Sequence, residues 1–182
     1  ELLKKPGETD IEGFVEFYLG LTPEYNNLTH CGLILGRMVF NDNNKIPIYD
    51  PEMKRAEYIF ARRGTVMIDN TLLEDEHRFR STMGHEAGHW IYQQSYFYKD
   101  PFQMNLFSNM ENTSTACRRF DIEGGEYNES GRKSLVSDHD WLEHQAKYFS
   151  AAILMPRAAM KIICGDEELR RQIGRASCRE RV

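Results

Sequence analysis

The chain is 182 residues long with 41% hydrophobic and 28% charged residues, the profile of one soluble globular domain with room for a buried core. Its net charge of -5 argues against coating a nucleic acid or an anionic membrane. No apolar run reaches the roughly 18 residues of a membrane helix, and the expected compartment is the cytoplasm.

The chain opens on Glu1 in place of a Met and closes on Ile173–Val182, a string that resembles the in-frame translation of a sequencing adapter. The expectation is a fragment of a longer reading frame, with a domain over residues 1–165, the end of the native segment at 166–172 and a non-native tail at 173–182. Without that tail the chain is more acidic and keeps Cys31, Cys117 and Cys164. None of these forms a C-x-x-C pair, so neither a disulfide framework nor a thiolate zinc site is expected, and each reads as a small buried or half-buried residue.

In chain order, Thr9 or Asp10 is a candidate cap for a helix from Ile11 to about Gly20, with Ile11, Phe14, Val15, Tyr18 and Leu19 at helical spacing. Cys31–Phe40 is rich in strand formers, and the turn cluster Asn41–Asn44 is expected to join it to a strand at Ile46–Tyr49. Lys54–Arg63, with four basic residues, reads as a solvated face or connecting helix. Gly64–Asp69 alternates and is β-branched, which predicts a strand. A helix follows from about Leu73 to Gln94, with Phe79, Met83, Ala87, Trp90, Ile91 and Gln94 as its core stripe.

Residues 95–137 read as an irregular stretch, within which Ala116–Ile122 and Lys133–Val136 are a candidate hairpin. A second strong helix is expected from about His139 to Met155, capped by Ser137 or Asp138, with Leu142, Ala146, Phe149 and Ile153 as its stripe. Pro156 ends that helix or starts the next.

The sharpest chemical feature is His85-Glu86-Ala87-Gly88-His89 inside the first strong helix. Residues four apart share a helix face, so both imidazoles can reach one cation, and Glu86 is close enough to hold a water beside it. Gly88 costs helix stability of about 1 kcal/mol relative to Ala, which suggests close approach of another backbone or of substrate. The longer zinc-protease pattern with a third His is absent, because Tyr92 and Ser95 stand at its positions, and the inverted order is absent too. Glu143, beside the apolar stripe of the second helix, is the candidate third ligand. Two imidazoles and one carboxylate leave a tetrahedral position open, as in catalytic zinc sites.

His85–His89, preceded by Arg78-Phe79 and followed by Glu143-His-Gln-Ala-Lys-Tyr-Phe-Ser-Ala-Ala-Ile-Leu-Met-Pro156, resembles the ImmA/IrrE family of zinc metallopeptidase-like proteins. The likeness covers about residues 6–165 and departs from the family pattern at Ser150 and Ile153. It implies an α+β, zincin-like fold: a small antiparallel or mixed sheet packed on an active-site helix, with a second helix carrying the third ligand. It also implies zinc bound by His85, His89 and Glu143, with Glu86 as general base. Two further departures are the long stretch between His89 and Glu143, and Lys147 where related gluzincins place an Asp that orients a ligand imidazole.

The implied activity is hydrolysis of a peptide bond in a regulatory protein such as a helix-turn-helix repressor, with no direct contact to nucleic acid or membrane. The alternative is a zinc-stabilised binding module that recognises a partner without cutting it; a purely structural site would not need Glu86. Tyr92, His139 and His144 are candidates for the second oxyanion donor such a reaction needs. Thr65–Asp69 either offers an edge to an extended substrate or is paired on both sides. The aromatic run Tyr96–Phe107 is either a flap over the cleft or a satellite hydrophobic cluster.

Overall fold

The computed structural model describes residues 7–97, 114–118 and 135–165, which form an α+β unit around a mixed sheet. A short helix, α1 (Ile11–Gly13), continues as a π-helical turn over Phe14–Tyr18. Strands β1 (Thr22–Asn26), β2 (Ile34–Met38), β3 (Asn43–Asp50), β4 (Arg55–Ala61) and β5 (Thr65–Asp69) follow. Helix α2 (Glu76–Phe97), the two-residue strand β6 (Cys117–Arg118), α3 (Asp138–Leu154) and α4 (Arg157–Gly165) complete the order. No helix among the described residues is long and apolar enough to cross a membrane.

The four-stranded sheet runs β1-β5-β2-β6, with β1 parallel to β5 and the other pairs antiparallel. All five residues of β5 are buried, and alternation splits them between two cores. Val66 and Ile68 join Met38, Leu35, Met83 and Ala87 under α2, whereas Met67 joins Leu28, Val39, Ile46 and Ala61 under a β3–β4 hairpin. At about 1.5–3 kcal/mol for each fully buried aliphatic side chain, this two-faced burial makes β5 the strand about which the fold is organised. Since β1 and β2 flank it, Thr65–Asp69 is paired on both sides, the second of its two expected readings, and not an edge; among the described residues β1 and β6 are the edges.

Several other expectations are corrected. Lys54–Arg63 is neither a solvated face alone nor a connecting helix: Arg55–Ala61 is a strand whose outward residues are exposed while Ala61 is buried against Ile46. Ile46–Tyr49 does lie in a strand, β3, but its partner is β4, with Ile46 opposite Ile59, and not the strand before it. The reversal is made at Asp50, whose carboxylate accepts from the Glu52 and Met53 amides, and Lys54 closes it with φ of 51°. Strand β1 was not expected at all. Its Pro23 removes an amide, which an edge strand tolerates.

The first helix is capped by Asp10, whose carboxylate accepts from the Gly13 amide at 2.9 Å. Ile11 and Val15 are buried, but the π-helical winding carries Tyr18 out of the stripe to 78% exposure. Helix α2 starts later than expected, at Glu76, with Asp75 accepting from the Arg78 amide. Ser137 caps α3 through a reciprocal capping box with Asp140, and Pro156 lies between α3 and α4. Most of the candidate hairpin over 116–136 lies outside the described residues; its described part, β6, pairs with β2, and Val136 is exposed and in no strand.

Candidate metal centre

Every residue from Thr82 to His89 is buried. This follows from close approach on two sides. A Cβ on Gly88 would stand 2.9 Å from both the Cα and the carbonyl oxygen of Ala146, and one on Gly84 would stand 2.8 Å from Ser150 Oγ. Two glycines four apart on α2 therefore receive two small residues four apart on α3, and the axes can approach where larger side chains would hold them away. Ser150 completes the contact by donating to the Ser81 carbonyl at 3.0 Å. The helix cost noted for Gly88 is thus offset by a backbone contact, and Glu143, three residues and about one turn before Ala146, is carried to the histidines.

The three expected ligands converge. The Nε2 atoms of His85 and His89 are 3.0 Å apart, with Glu143 Oε2 3.1 Å from the first and Oε1 3.4 Å from the second. All three residues are buried. Gln93, one turn beyond His89, determines the tautomer. Its amide nitrogen donates to the Leu142 carbonyl at 2.8 Å, which turns its oxygen toward His89 Nδ1 at 2.7 Å. An amide oxygen can only accept, so Nδ1 carries the proton and Nε2 presents a lone pair to the centre.

Two imidazoles and a carboxylate packed together in a buried space favour a positive charge among them. The electrostatics of the residues alone express that preference. Burial would lower the His89 pKa, but the hydrogen bond to Glu143 and the charges of Glu86 and Glu143 outweigh it and hold the imidazole above its ordinary value. Burial would likewise raise Glu143, but hydrogen bonds from His85 and His89 outweigh it and hold the carboxyl well below the usual carboxylate range. His85, His89 and Glu143 each offer one ligand atom close to the others, so the group could hold a metal ion.

Glu86 leaves the helix toward the sheet. Gly36 on β2 makes room for it, since a Cβ there would stand 2.7 Å from Glu86 Oε1. Thr115 Oγ1 donates to Oε2 at 3.3 Å, while Oε1 is buried with no hydrogen-bond partner. Burial pushes the carboxyl pKa up, against the opposing pull of His89 and His85. The residue is a fully buried carboxyl, half satisfied and disposed to hold a proton.

A cleft of ≈ 330 Å³ opens over the centre between His89, Glu143 and His139 on one side and Ser114–Ala116 and Arg118 on the other. Tyr96 and Phe97 line it too; the rest of the aromatic run to Phe107 lies outside the described residues. A larger cleft of ≈ 420 Å³, at Glu8, His77 and Arg80, is edged by an Arg80–Glu8 ion pair and touches none of the four motif residues, so the chemistry points to the smaller one. Of the three candidate oxyanion donors only His139 reaches the cleft. Tyr92 is 51% exposed with its ring against Phe149, and His144 is exposed beside Trp141.

Sequence reasoning missed Gln93, Gly36, Gly84 and Thr115. It assigned the stripe to Gln94, although the signal for Gln93 was its spacing of four from His89. With Lys147 in the place of the expected Asp it left the group that orients the imidazoles unidentified, whereas α2 itself supplies one for His89 in Gln93. Compared with known proteins, the chain matches no family model, no curated protein and no solved structure.

Proposed function

We propose that this chain is a zincin-like zinc peptidase domain, with zinc held by His85, His89 and Glu143, that cuts a peptide bond in a cytoplasmic regulatory protein. The substrate class, a helix-turn-helix repressor, rests on the family resemblance of the two motifs. The observation that carries the catalytic reading is Glu86: a fully buried carboxyl with one unpartnered oxygen, one position along the helix from a convergent ligand set. A site needed only to bind a partner or stabilise the fold gains nothing from that desolvated group.

Zinc, when bound, supplies the Lewis acidity that polarises a carbonyl and acidifies water. The residues do the rest. Glu86 takes a proton from the attacking water as its oxygen bonds to the scissile carbonyl carbon, then returns that proton to the amine as the C–N bond breaks. Burial suits it to both halves, because a raised pKa makes it a stronger base and leaves a conjugate acid that can hold the proton until it is returned. Thr115 holds one Glu86 oxygen in place, and His139 at the cleft rim is placed to donate to the developing oxyanion. Gln93 keeps the His89 lone pair directed at the metal.

Glu86→Gln is expected to retain about one zinc, measured by elemental analysis, while losing about 10²–10⁴-fold in cleavage of a co-expressed repressor. Full activity in that variant would refute the peptidase reading and favour the non-cutting binding module. Glu86 must be ionised to act, so activity falls as pH drops through its raised pKa, and the acid limb of the rate profile lies above the ordinary carboxylate range.

A further inference from the structure

The proposed reaction leaves one group beside Glu86 without a role. Cys117 is fully buried on β6, directly opposite Gly36 of β2 in the sheet register. Opposite residues on adjacent strands share a face, and the face Gly36 turns to α2 is the one occupied by Glu86 Oε1. The thiol therefore stands on the same side, next to the space that Gly36 leaves for the carboxylate. One ligand atom from each of His85, Glu86 and Cys117 lies within 4.8 Å of the others, and all three residues are buried.

A cysteine alone would mean little. Here it stands beside an unpartnered polar atom, Glu86 Oε1, wholly buried, aimed into this space and without a hydrogen-bond partner. Imidazole, carboxylate and thiol together are a donor set for borderline and soft divalent ions, zinc, cobalt and cadmium among them, and a poor one for magnesium or calcium.

We propose that His85, Glu86 and Cys117 form a second cation site that overlaps the first at His85, and that a thiophilic divalent ion held there takes Glu86 away from its work as base. The proposal rests on the peptidase reading for that consequence, though not for the site itself. On binding, a metal–sulfur bond forms as the thiol proton passes to solvent, with no change in oxidation state. The centre would then have two modes: an open one using His89 and Glu143, and a closed one using Cys117, in which a ligand role for the carboxylate prevents proton transfer.

Cobalt titration of the purified chain separates the possibilities. A thiolate-to-cobalt charge-transfer band is expected in the near ultraviolet, lost in Cys117→Ser while the visible ligand-field bands of the imidazole and carboxylate set persist. Cys117→Ala, checked by circular dichroism, guards against a buried serine that disturbs folding. The ¹¹³Cd resonance of the unsubstituted protein gives a variant-independent reading, displaced toward the range of sulfur ligation. Cadmium should also inhibit cleavage, at a concentration at least about tenfold higher in Cys117→Ser. Cobalt binding with ligand-field bands alone, together with a cadmium resonance in the nitrogen and oxygen range, would overturn the second site and leave the peptidase reading standing. No cobalt uptake at all would overturn both.

Discussion

The β3–β4 hairpin and the α2–α3 pair solve opposite packing problems. In β4 the run Arg55–Tyr58 is exposed, and only Ile59 and Ala61 turn inward toward Ile46 and Met67. Its Arg55–Glu57 ion pair, at 3.5 Å with both side chains about half in solvent, adds little to stability. In α2 eight consecutive residues are buried, because the helix has the sheet on one side and α3 on the other. A strand can hold its register through a few inward side chains and leave the others to water. A helix that carries a buried centre has no such freedom, and even absent side chains, at Gly84 and Gly88, become specific requirements.

Substitutions at graded points along this contrast test it. Gly88→Val is expected to be the most damaging, because its first carbon already meets Ala146 backbone at 2.9 Å and two more methyl groups must follow. A loss of about 3 kcal/mol, the upper end for an overpacked core, should appear as a lower denaturation midpoint, and a loss below about 0.5 kcal/mol would show that the helices do not depend on this contact.

Gln93→Leu comes next. It keeps the bulk but removes the acceptor for His89 Nδ1, so metal affinity measured by chelator competition should fall about 10–100-fold with the fold intact. Unchanged affinity would mean that packing alone orients the ring. Tyr58→Ser on the hairpin, where Tyr58 is 68% exposed, should shift stability by no more than about 0.5 kcal/mol. A large loss there would erase the contrast between the two regions.

What could be read from the amino acids follows the same division. The convergent His85, His89 and Glu143 group and the two long helices were legible because their signals are largely local: His85 and His89 sit one turn apart, and Ser137 and Asp140 make a cap within four residues. The α3 stripe marked Ala146 as inward, and that contact brings Glu143 to the centre. β1 was not legible, because Thr22–Asn26 owes its strand to parallel pairing with β5 and not to its own composition. β4 was obscured by the basic residues at its ends, Lys54 and Arg55 before and Arg62 and Arg63 after, which made the segment read as a solvated face. Gly36 and Thr115 could not be assigned from spacing, since each meets Glu86 only after distant segments have come together, and the spacing of Gln93 from His89 did not show the Leu142 carbonyl that orients its amide.

The Gln93 hydrogen bond to the Leu142 carbonyl spans 49 positions of chain, whereas His85 and His89 are separated by four. Two of the candidate ligands are therefore brought together once a single helix has formed, and the third arrives only with the docking of α3. An ion bound by all three does more than occupy a finished cavity. Its binding energy would be counted in the assembly equilibrium of the two helices, so that metal added to the chain would be expected to make the α2–α3 seam resist separation.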